Sequence, residues 1–134
     1  MNAITLLKAD HKTVKTLFKQ FERLGDNAKS EKKKIVERII KELAVHAVIE
    51  EQVLYPAARK AAPDSEDTVL EALEEHHIVK WTLSELENMS PDAERFDAKV
   101  AVLIESVRHH IEEEEGELFP KIREALGRKE LEAL

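Results

Sequence analysis

Apolar residues recur along this chain every three or four positions, and four stretches hold the pattern long enough to predict amphipathic helices. The first runs from about Thr5 to Leu24, with Leu7, His11, Val14, Phe18 and Phe21 inward, and Gly25 is expected to close it in the left-handed conformation. The second starts at Ser30, whose hydroxyl can cap free amides, and turns Ile35, Ile39, Leu43, His46, Glu50 and Val53 inward. Tyr55-Pro56 then bends or loosens its last turns, because proline lacks the amide hydrogen and crowds the carbonyl four residues back. After the break at Pro63-Asp64-Ser65, the third helix reaches about Met89 with Val69, Ala72, His76, Val79, Leu83 and Leu86 inward. Ser90-Pro91 reads as the start of the fourth, whose stripe is Phe96, Val100, Leu103, Val107, His110, Glu114 and Leu118, ending near Gly127. The tail RKELEAL is either a last helical turn or a frayed end. Short connections between four such helices predict an all-α, antiparallel up-down-up-down four-helix bundle.

The pattern also repeats. His46, Glu50 and Pro56 return 64 residues later as His110, Glu114 and Pro120, and Asp10-His11 with Val14 returns at an offset of 65 as Glu75-His76 with Val79. The chain therefore reads as two copies of one helix hairpin.

Composition agrees with helices and narrows the chemistry. With 43% hydrophobic and 37% charged residues and three glycines in 134 positions, strands are disfavoured and one domain over 1–134 is expected. The net charge of −7, with both signs interspersed, argues against nucleic acid as a partner, which would call for a basic stripe. Lys32 to Lys34 are read as a solvated helix face. No apolar run is long enough for a membrane span and the N-terminus does not read as a signal segment, so a cytoplasmic location is expected. Without cysteine, any metal must be held by nitrogen and oxygen. No partner surface stands out, and a monomer or weak homodimer is expected.

The chemistry lies in the stripes. Each helix places one histidine on its inward face, and helices two and four add a glutamate four residues on. Residues four apart differ by about 40° around the axis and roughly 6 Å along it, so His46 with Glu50, and His110 with Glu114, can aim at one point. The six candidate metal ligands are His11, His46, Glu50, His76, His110 and Glu114. Unpaired carboxylates in a helical core would cost several kcal/mol or take up protons, and a pair of cations compensates them directly. Six donors exceed the four of tetrahedral zinc but suit two ions, each with two histidines and both glutamates as bridges. A bridging oxide or hydroxide would bring each ion to five donors and leave room for a small exogenous ligand. Iron is the first choice, with manganese or zinc compatible with the same donors.

A single core histidine is more often hydrogen-bonded to a carbonyl than bound to metal, but four at repeat-matched positions with two matched glutamates outweigh that reading. The other di-iron pattern, paired Glu-x-x-His motifs, finds only Glu74 to His77. His77 and His109 have no repeat counterparts and are read as flanking residues. Glu51 and Glu115 do recur, about 100° from Glu50 and Glu114. They could orient histidines across the bundle, though surface charge is the reading adopted. Trp81 and Met89 are read as packing. Tyr55 stands nine residues from His46, about 180° round an α-helix, and reaches the centre only if Pro56 distorts that turn.

On Asp10-His11, His46-x-x-x-Glu50 with Leu54-Tyr55-Pro56, Glu75-His76, and His110-x-x-x-Glu114 with Leu118-Phe119-Pro120, nearly the whole chain resembles the hemerythrin-like family, specifically its HHE cation-binding domains. The resemblance implies a non-haem di-iron centre held by the same six residues in a four-helix bundle. Oxygen-carrying hemerythrins have a further histidine where this chain has Lys80, and an aspartate five residues after the last ligand histidine where this chain has Glu114 at four. Both departures argue against dedicated oxygen transport. The implied function is binding of oxygen or a related small oxidant or diatomic, in sensing, binding or storage. The alternatives are an enzyme handling peroxide or nitric oxide, or iron supply for cluster repair. A binding protein is favoured over a catalyst, with a small diatomic or peroxide as its ligand.

Overall fold

The computed structural model describes residues 2–134, including every side chain in that range except that of Arg128. Among the described residues six α-helices form four rods: α1 (Ala3–Glu22), α2 (Lys29–Ile49) continued by α3 (Tyr55–Ala61), α4 (Glu66–Glu87), and α5 (Phe96–Glu113) continued by α6 (Phe119–Ala125). The short α7 (Arg128–Ala133) packs back on α1 and buries Leu131, so the tail is helical. The rods pack in a ring, α1 on α2, α2 on α4, α4 on α5 and α5 on α1, which is the expected antiparallel bundle.

Several helix ends differ from the sequence reading. Asn2 caps α1 by accepting from the Thr5 amide at 2.8 Å. At the other end α1 stops at Glu22, and Gly25 has no positive φ, so a left-handed closure does not occur there. Helix α2 begins at Lys29 without a side-chain cap, so Ser30 lies inside it. Ser90 does accept from the Asp92 amide, at 3.2 Å, but two consecutive turns come next (Ala93 N–H to Ser90 O, Phe96 N–H to Ala93 O), delaying α5 to Phe96. The lysine run is not a solvated face throughout. Lys32 is buried and pairs with Asp97 at 2.9 Å, and Lys33 donates to the Met89 carbonyl at 2.9 Å, a favourable place for a cation beyond the end of α4.

The joins within two rods matter most. Glu50–Leu54 and Glu114–Leu118 are each one turn of π-helix, with Tyr55 N–H bonding Glu50 O and Phe119 N–H bonding Glu114 O. The next residues are Pro56 and Pro120, which have no N–H, so one donor is missing from the ladder where each turn widens. A π turn takes up one extra residue and rotates the residues beyond it by about 100° relative to an α-helix. Leu54 therefore takes the inward place, and Val53, expected inward, is 38% exposed.

Two apolar layers result. Val14, Phe18, Ile39, Leu86, Phe96 and Val100 belong to one, with Met89 packed against it; Leu7, Leu54, Val69, Leu118, Phe119 and Ile122 belong to the other. Along every rod the inward histidine falls between them. Trp81, expected in the packing, is 66% exposed on the outer face of α4. Phe18 is fully buried, so Phe18→Ala should lower unfolding free energy by about 3–5 kcal/mol in urea titrations; a loss below about 1 kcal/mol would contradict this packing.

Candidate metal centre

All six residues singled out in the sequence converge between the two apolar layers. Glu50 and Glu114 are 0% and 2% exposed, and His11, His46, His76 and His110 are buried around them. Their donor atoms fall into two groups, His11, His46, Glu50 and Glu114, and His76, His110, Glu50 and Glu114, the atoms of each lying within 4.8 Å of one another. The glutamates are common to both, as two ions sharing two carboxylate bridges would require.

The Nε2 atoms all turn inward. His46 and His76 Nε2 stand 3.1 and 3.2 Å from Glu50 Oε1, His11 Nε2 3.2 Å from Glu114 Oε1, and His110 Nε2 3.1 Å from Glu114 Oε2. These distances are those of ion pairs, yet neither oxygen of Glu50 nor Oε1 of Glu114 is placed to accept a hydrogen bond. Nitrogen also faces nitrogen, His11 Nε2 to His46 Nε2 at 3.1 Å and His76 Nε2 to His110 Nε2 at 3.3 Å. Inward ring nitrogens and carboxylate oxygens without hydrogen bonds fit cations between them better than they fit a closed hydrogen-bond network.

Each outward Nδ1 has its own carboxylate. His11 donates to Glu115 (2.6 Å), His46 to Asp10 (3.3 Å), His76 to Glu51 (3.0 Å) and His110 to Glu75 (2.8 Å). Such partners fix ring orientation and leave Nε2 to face inward. Glu51 and Glu115, read from the sequence as surface charge, are two of these four. Asp10 and Glu75 enter the sequence reading only through the repeat and the family resemblance, immediately before His11 and His76, and are given no place at the centre there. Lys80 binds Glu51 at 2.8 Å, and burial, which raises the Glu51 carboxyl, is outweighed by hydrogen bonds from Lys80 and His76 that hold it below its usual range.

Tyr55 also reaches the centre. With one residue absorbed by the π turn it stands to Glu50 as an i,i+4 neighbour would, and its hydroxyl donates to Glu114 Oε2 at 2.6 Å and lies 3.3 Å from His76 Nε2. Burial and then the adjacent carboxylates push the phenol far above its ordinary pKa, so it stays protonated. The repeat places Phe119 in the equivalent position, stacked on His11 with ring centroids 5.8 Å apart. His77 and His109 are exposed and outside this constellation.

On the other side of the four imidazoles a cavity of about 40 Å³ opens toward Val14, Leu43, Val79, Leu83, Val107 and Ile111, with Lys80 also on its wall. It has room for a diatomic molecule or about one water, and its wall is apolar.

The family model for the hemerythrin HHE cation-binding domain matches residues 2–122. A Nostoc protein described as a DNA nickase is 32% identical over 132 residues, which are 98% of this chain and 36% of that protein. An uncharacterised hemerythrin-like protein of Schizosaccharomyces pombe is 32% identical over 90 residues, 66% of this chain and 44% of the relative. The chain thus spans less than half the length of these curated relatives. The crystal structure of a hemerythrin HHE cation-binding domain-containing protein from Mycobacterium kansasii matches with a TM-score of 0.83 at 25% identity, over 99% of this chain and 80% of the other.

The metal-free centre carries its own pH signature. Burial lowers the basicity of His46 and His110, but the close pairing of His46 with Glu50 and of His110 with Glu114, with the hydrogen bonds to Asp10 and Glu75, raises both from 6.5 to about 9. A group made more basic by folding stabilises fully below its unfolded pKa and loses that contribution as pH rises through the folded one. The Tm of chelator-treated protein should therefore fall by several degrees between pH 6.5 and 9. A Tm that is flat or rising across that window would contradict the assigned pairs.

Proposed function

This chain belongs to the hemerythrin HHE cation-binding family, and from that premise we propose that it holds two iron ions at the buried centre and binds a small diatomic ligand there, oxygen first among them. The observation that carries the proposal is the pair of donor groups sharing Glu50 and Glu114, of whose four buried oxygens only Glu114 Oε2 accepts a hydrogen bond. His11 and His46 would hold one ion, His76 and His110 the other. Mixed imidazole and carboxylate donors favour iron and accept manganese or zinc. When bound, such a pair supplies one-electron redox chemistry and an open position for a small ligand.

The chain's own groups define what that position can admit. Asp10, Glu51, Glu75 and Glu115 hold the imidazoles in place from behind, so the centre needs little rearrangement on loading. The apolar cavity beside the imidazoles admits a small uncharged molecule and disfavours hydrated anions. Tyr55 keeps an O–H at the centre, directed at Glu114. Among the described residues no helix is long and apolar enough to cross a membrane. A cytoplasmic location is part of the same proposal.

A second reading, turnover of peroxide or nitric oxide at the same centre, is favoured by that phenol, a buried hydrogen-bond donor that simple binding does not require. Conversion of many equivalents of either substrate would separate it from binding. The Nostoc relative described as a DNA nickase shares only this domain's length with the chain, and a net charge of −7 does not favour a DNA-binding surface, so nicking is not part of the proposal.

Anaerobic reconstitution with ferrous iron should give about two metals per chain, as the shared-bridge geometry implies. Admission of air should then produce new absorption. Fewer than two metals, or no spectral change on oxidation, would overturn the iron-pair reading. His110→Ala should lose bound metal, whereas His109→Ala should retain the full complement; equal losses would mean that the neighbouring histidines have been assigned the wrong way round.

A further inference from the structure

We propose that Glu75, His109 and Glu113 form a surface divalent-cation site that captures ions on their way into the buried centre, an inference that rests on the metal-binding reading above. One donor atom from each of the three lies within 4.8 Å of the others. His109 and Glu113 occupy consecutive turns of α5, with His109 Nε2 3.0 Å from Glu113 Oε1. They reproduce the four-residue spacing of His110 and Glu114 one position earlier, which turns them about 100° toward solvent. Glu75 approaches from α4. One imidazole and two carboxylates suit a divalent ion held by nitrogen and oxygen.

The fold does not require this trio. In the first hairpin the positions matching His109 and Glu113 are Val45 and Ile49 (64 residues earlier), on a helix that forms equally well. Glu71 and Glu74, beside the trio, correspond to Leu6 and Ala9 (65 residues earlier). The acidic face is thus a feature of the second hairpin alone, added to a scaffold that stands without it.

A route leads inward from the same place. Glu71, Glu74, Glu75 and Glu113 line an open groove of about 430 Å³. Beneath it a cleft of about 10 Å³, shared by Glu75 and Glu113, reaches His110 and Glu114 beside Thr68 and Ala72. Glu114, 2% exposed and with Oε1 lacking a hydrogen bond, lies at the inner end of that cleft. Glu75 belongs to both sites, because its Oε1 accepts from His110 Nδ1. An ion held by the outer trio therefore lies beside the carboxylate that orients His110, at the mouth of a cleft lined by His110 and Glu114. The surrounding carboxylates raise the local cation concentration at the mouth of this cleft.

The duller alternative is that His109 and Glu113 are only an exposed ion pair, which predicts no effect on metal uptake. Metal-free full-length chain mixed anaerobically with Co²⁺ in a stopped-flow instrument separates the two, with ligand-field absorption reporting arrival at the buried centre. His109→Ala and Glu113→Gln should each slow loading, and together by about tenfold, the lower end of what charge focusing contributes to on-rates. The final stoichiometry should match that of the unaltered chain. His109→Ala removes an imidazole rather than a fixed negative charge, so slowing by that variant reports coordination. Unaltered rates in both variants would overturn the capture site and leave the buried centre standing. A final uptake below about two Co²⁺ in the unaltered chain would overturn the two-ion reading, and the capture role with it.

Discussion

Two carboxylates with almost no access to water, Glu50 and Glu114, set the terms for the middle of this bundle. Neither can stay ionised among leucines and phenylalanines without positive charge close by, because the interior does not replace lost hydration. The chain answers with four imidazoles, one from each rod, and behind them four further carboxylates. In the metal-free protein the raised basicity of His46 and His110 makes them the compensating cations near neutral pH, while Glu114, despite burial, is held well below its usual range by Glu50, His11 and His110 beside it. The same electrostatic demand can be met by metal, and the competition between protons and metal ions at these nitrogens is built into the site.

The π turns link backbone accounting to this chemistry. A proline after each turn removes a donor, the turn widens, and the residue before the proline comes round to the face that carries the glutamate. The widened turn puts Tyr55 against Glu114 and Phe119 against His11, and it gives Leu54 and Leu118 to the apolar layer that holds Leu7, Val69 and Ile122. The irregularity is thus what lets one rod serve the centre and the adjoining core at once.

The helices, their antiparallel order and the six central residues were legible in the sequence because each rests on periodicity, and the repeat confirmed the pattern internally. Helix ends were less so. Gly25 and Ser30 carry familiar end signals, but the packing of α1 on α2, with Lys32 drawn inward to Asp97, places the boundaries a few residues away. The outer carboxylates were half visible: Glu51 and Glu115 recur in the repeat, yet solvent exposure is the common fate of glutamate, and only the distances to His76 and His11 reveal their use. Asp10 and Glu75 carried the same signal of recurrence beside a histidine. Tyr55 was hidden by the assumption of uniform α-helical pitch, although Pro56 marked where that assumption fails.

The two hairpins differ at one aromatic position, and the difference gives the centre a direction. Where one half presents a phenol hydrogen-bonded to Glu114, the other presents a bare hydrocarbon ring lying flat on an imidazole. A duplicated scaffold would by itself make its two halves interchangeable. With a hydroxyl hydrogen supplied from a single side, the symmetry is broken inside the protein, and anything seated between the halves meets a polar pole and a greasy one.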